Sequence, residues 1–193
     1  MSNQQPMIQL LDGNKIPQLG LGVWRASQEQ AKSSVSHALK SGYRHIDTAA
    51  VYENEEGVGA GIRESGINRE EIFLTTKVWN TEQGFDSTTN AINASLSRLK
   101  VDYVDMLLIH WPAPNKDKFV DTWRALIQAK EQGKVRSIGV SNFTEKHIQR
   151  LIDETGVAPI LNQVELHPFF QQAQLRQALS QLNVKTQAWS PLG

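Results

Sequence analysis

The chain has 193 residues, with 39% apolar and 21% charged residues, enough for one domain with a substantial core. Its 20 basic and 20 acidic side chains cancel, so no global field steers it toward nucleic acid or an acidic membrane. It has no cysteine, which excludes disulfide and thiolate chemistry and agrees with a reducing compartment.

In chain order, the start MSNQQPMIQL carries neither a basic nor an apolar leader region, so a cytoplasmic protein is expected. No apolar run is long enough to span a bilayer. Ile8–Leu11 and Ile16–Leu19 read as a small hairpin turning on Asp12-Gly13. Gly20–Trp24 is the next strand, followed by His45–Thr48, Ile72–Val78, Val104–His110, Val135–Val140, Ile160–Leu166 and Val184–Trp189. Between them apolar residues recur at helical spacing: Val35, Ala38 and Leu39, then Ile92, Leu96 and Leu99, then Trp123, Leu126 and Ile127. Ile148, Leu151 and Ile152 follow, then Leu175, Leu179 and Leu182. Gly42, Gly66, Gly133 and Gly156 stand where helix C-termini want a positive φ, and Thr144 is placed as an N-cap. His37 and His147 fall on helices and are expected to face solvent.

The strands start roughly 24 to 32 residues apart, the cadence of a βα repeat in a parallel sheet. That predicts one α/β domain over 1–193 with seven parallel strands and six helices. Polar residues sit at the ends of several strands: Asp47, Lys77, His110, Ser141 with Asn142, Gln163, and Trp189 with Ser190. Contributions from so many strand ends favour a (β/α)8 TIM barrel, whose active site lies on one rim, over an open sheet with a single switch point.

Other chemistries fail on their spacing. "GLGVWR" has Gly20 and Gly22 but Arg25 where a dinucleotide fingerprint needs its third glycine. The histidines make no His-Glu-x-x-His pattern, so no metal site is expected, and Glu165 with His167 reads as a strand-end hydrogen bond. Gly-x-Ser-x-Gly is absent.

The stretches "GYRHIDTAAVYENEEGVG" (42–59) and "RSIGVSNF" (136–143) resemble the aldo-keto reductases. "LTTKVW", "LLIHWP", "NQVELHP" and "AWSPL" are similar to the same family, in the same order. The likeness is greatest to the bacterial 2,5-diketo-D-gluconate and methylglyoxal reductases, a placement to which Trp189 contributes. The resemblance implies NADPH-dependent reduction of a small-molecule aldehyde or ketone, with Asp47, Tyr52, Lys77 and His110 as the catalytic set. It implies that Ser141, Asn142 and Gln163 bind the nicotinamide carboxamide and that Trp189 stacks on its ring. Gly22, Ser190 and Leu192 complete the expected cofactor contacts, and Trp24, Trp79 and Trp111 the substrate pocket.

The chemistry suits these residue types. A carbonyl that receives hydride leaves charge on oxygen and needs a proton donor beside it. The pKa of an unperturbed phenol is about 10, and a neighbouring Lys77 ammonium is expected to lower that of Tyr52. Asp47 would orient the lysine and His110 the substrate oxygen.

A closed barrel of this kind has eight strands and usually about 250 residues. The sequence therefore reads as a barrel lacking its eighth strand and C-terminal helices, including the family's 2′-phosphate site, and as a monomer when complete. A non-catalytic short paralogue acting as a binding or regulatory protein is the alternative. An aldolase with Lys77 as Schiff base is a third reading, disfavoured by Asp47 as a carboxylate partner.

Overall fold

A computed structural model of the chain describes residues 5–193. Met1 to Gln4, within the stretch read as lacking a leader, lie outside the described residues.

The N-terminal hairpin pairs β1 (Met7–Gln9) with β2 (Lys15–Pro17), Ile8 opposite Ile16. Its strands are shorter than expected and the connection runs from Leu10 to Asn14. Gly13 takes φ 88° there, and Leu10 N donates to Asn14 O at 2.9 Å. The wider loop turns Leu10 inward, only 2% exposed, onto a cluster with Ile16, Phe73, Met106, Leu108 and Leu161. Asp12 fastens the loop by accepting from Ser137 Oγ at 2.8 Å and Lys130 Nζ at 3.0 Å.

The remainder alternates as expected. β3 (Leu21–Gly22) leads to α1 (Gln28–Lys40) and β4 (His45–Asp47), then α2 (Glu55–Ser65) and β5 (Phe73–Val78). α3 (Phe85–Leu99), β6 (Val104–Ile109), α4 (Phe119–Glu131) and β7 (Val135–Ser141) follow. α5 (Glu145–Thr155), β8 (Leu161–Glu165), α6 (Ala173–Gln181) and β9 (Lys185–Trp189) end the series. The seven strands β3 to β9 form one parallel sheet in sequence order, the cyclic βα pattern of a TIM barrel less one strand. The sheet curls, so that its edge strands β3 and β9 line one cavity.

Each helix lays its apolar stripe on the outer face of the sheet, where Val35, Leu39, Ile92, Leu99, Trp123, Leu126, Ile148, Leu151 and Leu179 join one buried core. The inner face is layered. Phe73, Met106, Leu108 and Leu161 fill its lower part over the hairpin, and polar residues follow toward the strand C-termini. Gly57 and Gly61 let α2 approach α1, and a Cβ at Gly57 would lie 2.2 Å from the Gln28 carbonyl oxygen. Thr144 caps α5 as expected, but the capping box includes His147, whose ring packs edge-on to Phe119 and Phe143. His147 is thus half-buried, whereas His37 faces solvent as expected.

Candidate active site

Lys77 lies near the C-terminal end of β5, only 1% exposed, on a strand buried along its whole length. Its Nζ donates to Asp47 Oδ1 at the end of β4 and to the Thr48 carbonyl oxygen at 3.1 Å. Burial alone disfavours the ammonium, but Asp47 and the phenol of Tyr52 outweigh it and hold the Lys77 pKa above its ordinary value. The lysine stays charged.

Tyr52 closes a 3₁₀ turn, Ala50–Tyr52, immediately before Glu53 in the left-handed region at φ 55°. Buried Asn54 holds this turn. It accepts from Thr48 Oγ1 at 2.8 Å and donates to the carbonyl oxygens of Val23 (2.9 Å) and Ala26 (3.0 Å). The Tyr52 ring centroid lies 5.3 Å from Lys77 Nζ and edge-on to His110 at 5.7 Å. Burial raises the phenol pKa, and Lys77 pulls it down without overcoming that. The expected lowering is thus present as a pull but is outweighed, because the ring is desolvated.

His110 follows β6 and sits between Tyr52 and Trp79, whose ring lies 5.1 Å away at 76°. Burial, then the Lys77 charge, lowers its pKa to about 3, so the imidazole is neutral at physiological pH. Its buried Nδ1 has no hydrogen-bond partner among the described residues.

Asp47, Tyr52, Trp79 and His110 border a cavity of about 870 Å³ at the strand C-termini, which also takes in Gly22, Trp24, Trp111, Gln163, Trp189 and Ser190. The size suits a small organic ligand. Ser141 Oγ donates to the Gln163 carbonyl oxygen at 2.8 Å. Asn142, at φ 62°, donates from Nδ2 to His110 O and to Ser141 Oγ, both at 3.0 Å. Its Oδ1 accepts the Trp189 indole N–H at 2.9 Å, which fixes the ring on the cavity wall. A Cβ on Gly22 would meet no atom within 4 Å.

The structure thus brings together Asp47, Tyr52, Lys77 and His110, and adjoins to them Ser141, Asn142, Gln163 and Trp189. Lys77 reaches the cavity only through its neighbours. Trp24 and Trp111 are 61% and 41% exposed at the rim, with the Arg25 guanidinium 4.3 Å over the Trp24 ring. Leu192 is 92% exposed and does not border the cavity. Glu165 and His167 bond at 3.2 Å, as a strand-end pair. Sequence reasoning passed over Gln187, which lines the cavity two residues before Trp189. Period-two alternation along β9 puts the two on one face and is the signal that could have found it. Among the described residues no helix is long and apolar enough to cross a membrane.

Comparison with known proteins gives the same direction. The model of the aldo/keto reductase family matches residues 18–193. The methylglyoxal reductase DkgA of Yersinia pestis is 53% identical over 188 residues, 97% of this chain and 67% of the relative. The crystal structure of an aldo/keto reductase from Brucella melitensis superposes with a TM-score of 0.95 at 58% identity, covering 97% of this chain and 73% of that one. A Bombyx mori aldo-keto reductase solved in complex with NADP has a TM-score of 0.94 at 40% identity, covering 100% and 68%. The chain therefore spans about two thirds of the length of the curated relatives it matches. Because the family match runs from Gln18 to Gly193 and so takes in each of the strand-end residues described above, the chain belongs to the aldo/keto reductase family.

Proposed function

We propose that this chain carries the site of an NADPH-dependent carbonyl reductase acting on small aldehydes and ketones of the methylglyoxal or 2,5-diketo-D-gluconate kind, with Tyr52 as proton donor. The observation that carries the reading is Lys77, buried, charged and held by Asp47 beneath the Tyr52 ring at 5.3 Å. A lysine already committed to a carboxylate serves poorly as a Schiff-base nucleophile, and it serves well to stabilise a phenol giving up its proton.

The donor set fits a nicotinamide. An indole on the cavity wall offers a stacking face, and Ser141, Asn142 and Gln163 gather amide and hydroxyl groups at its edge. NADPH, when bound, supplies the hydride. Tyr52 starts protonated, because burial keeps its pKa up, and hands its proton to the carbonyl oxygen as charge develops there. Lys77 favours the phenolate left behind. Neutral His110, whose ring borders the cavity, offers the substrate oxygen a hydrogen bond. Trp24, Trp79 and Trp111 shape the approach, Gly22 and Ser190 take cofactor contacts at the cavity, and Leu192 takes one outside it.

Tyr52→Phe tests the reading. Reduction of methylglyoxal should fall by about 10²- to 10⁴-fold, the usual contribution of a positioned acid, while quenching of tryptophan fluorescence by NADPH persists. Turnover close to that of the parent chain would remove Tyr52 from the mechanism.

A further inference from the structure

Gln187 is in register with Gln163 of β8, which is itself in register with Ser141 of β7. Gln163 is 5% exposed, and its Nε2 donates twice: to Asp47 Oδ2 at 2.7 Å and to Gln187 Oε1 at 3.1 Å. A primary amide has two N–H donors and one carbonyl acceptor, so both donors are committed. The Asp47 carboxylate can only accept, which settles that Gln163 Nε2 faces it, and the same nitrogen then requires the oxygen end of Gln187. Its Oε1 takes no hydrogen bond from the described residues, and the side chain borders the cavity. Asp47 uses its other oxygen, Oδ1, for Lys77. One line of bonds therefore runs from Gln187 on the edge strand through Gln163 and Asp47 to the buried lysine.

We infer that Gln187 is a positioning residue. By holding Gln163 Nε2 toward Asp47, it leaves Gln163 Oε1 as the acceptor offered to the cavity, where the amide N–H of a carboxamide is bound. The same hold keeps Asp47 bridged between Gln163 and Lys77. This inference rests on the nicotinamide reading above for its ligand, though not for the bond itself. Without Gln187 the Gln163 amide loses one of two restraints and can turn its oxygen away from the cavity.

The test uses the whole chain as Gln187→Met, of similar length but without an acceptor, and as Gln187→Glu, which restores one. Two quantities are read: hydrogen exchange of the Gln163 side-chain amide by NMR, and the NADPH Kd by fluorescence. The Met variant should exchange several-fold faster and bind NADPH about three- to tenfold more weakly, the scale of one hydrogen bond. The Glu variant should return both to within about twofold, which a general packing defect would not do. Unchanged exchange in the Met variant overturns the inference, as does faster exchange with an unchanged Kd, or a Glu variant as impaired as Met. If the parent chain binds no NADPH, the cofactor reading fails by itself. The exchange rates of the two variants then decide the hold of Gln187 on Gln163.

Discussion

Strands β5 and β6 are buried at every position, whereas on β9 Lys185 is exposed and Thr186 to Trp189 are half-buried. Trp79 and His110, just past the ends of the first pair, and residues of β9 line two walls of one cavity. The first wall carries Lys77 behind that lining and leads into His110, in a setting where desolvation and charge govern behaviour. The second presents Gln187 and Trp189, held by single hydrogen bonds to Gln163 and Asn142. Proton-handling groups need a low dielectric and fixed charges, which only a buried strand supplies. Groups that receive a large ligand must stay open to it. Substitutions on the first wall should therefore damage stability and chemistry together, and those on the second should separate them.

Lys77→Met tests the buried wall and carries the largest expected effect. It strands the Asp47 carboxylate, only 14% exposed, without its cation. Breaking a buried pair from one side typically costs about 3–5 kcal/mol, and denaturant unfolding should show a loss of that order. Adding Asp47→Leu to the same chain should restore more than half of it, because the stranded charge is removed. If Lys77→Met unfolds at the same denaturant concentration as the parent, charge burial does not govern this wall.

The same contrast explains what could be read from the residues alone. β-Branched runs and helical stripes are local signals, so all seven parallel strands and six helices appear close to their expected places. Strand-end polar residues such as Asp47, Lys77 and His110 were legible because parallel strands must deliver their ends to one rim. The bonds that fix the second wall were not. Trp189 to Asn142, Gln187 to Gln163 and Gln163 to Asp47 join residues far apart in sequence, and no periodicity reports a side-chain partner. The hairpin misled for a related reason. Asp12-Gly13 suggests a tight turn, but burial of Leu10 and the Asp12 bonds to Ser137 and Lys130 favour a wider loop. Nor could composition show that desolvation outweighs Lys77 at the Tyr52 phenol.

Acid should weaken the fold through two buried histidines. His110, at about 3, and His45, with burial as the leading cause, both have pKa values below the ordinary 6.5. A depressed folded pKa gives stability that is present above 6.5 and lost as pH falls toward the folded value, because the unfolded chain takes up the proton first. Each histidine contributes at most about 1.4 kcal/mol per pH unit. Thermal midpoints should drop as pH is lowered from 7 through 6.5 toward 4, and His110→Asn should make that drop shallower. An equal slope in the variant would mean that His110 does not carry the acid sensitivity.

Trp189→Leu tests the edge wall and should give the smallest change in stability. The indole is half-buried on a strand that is paired on one side only, and its N–H bond to Asn142 is the main polar tie that it would lose. A single net hydrogen bond sets a loss of about 0.5–1.5 kcal/mol, well under that for Lys77→Met. Asn142 keeps its two donations to His110 and Ser141, so the neighbouring strand should not loosen. NADPH affinity should nevertheless fall several-fold, since an aromatic stacking partner contributes about 0.5–1.5 kcal/mol. Trp189→Phe should recover most of that affinity while leaving the Asn142 bond broken. Recovery by Phe assigns Trp189's share in cofactor binding to its ring face, whereas a Phe variant as weak as Leu assigns it to the indole N–H and to Asn142.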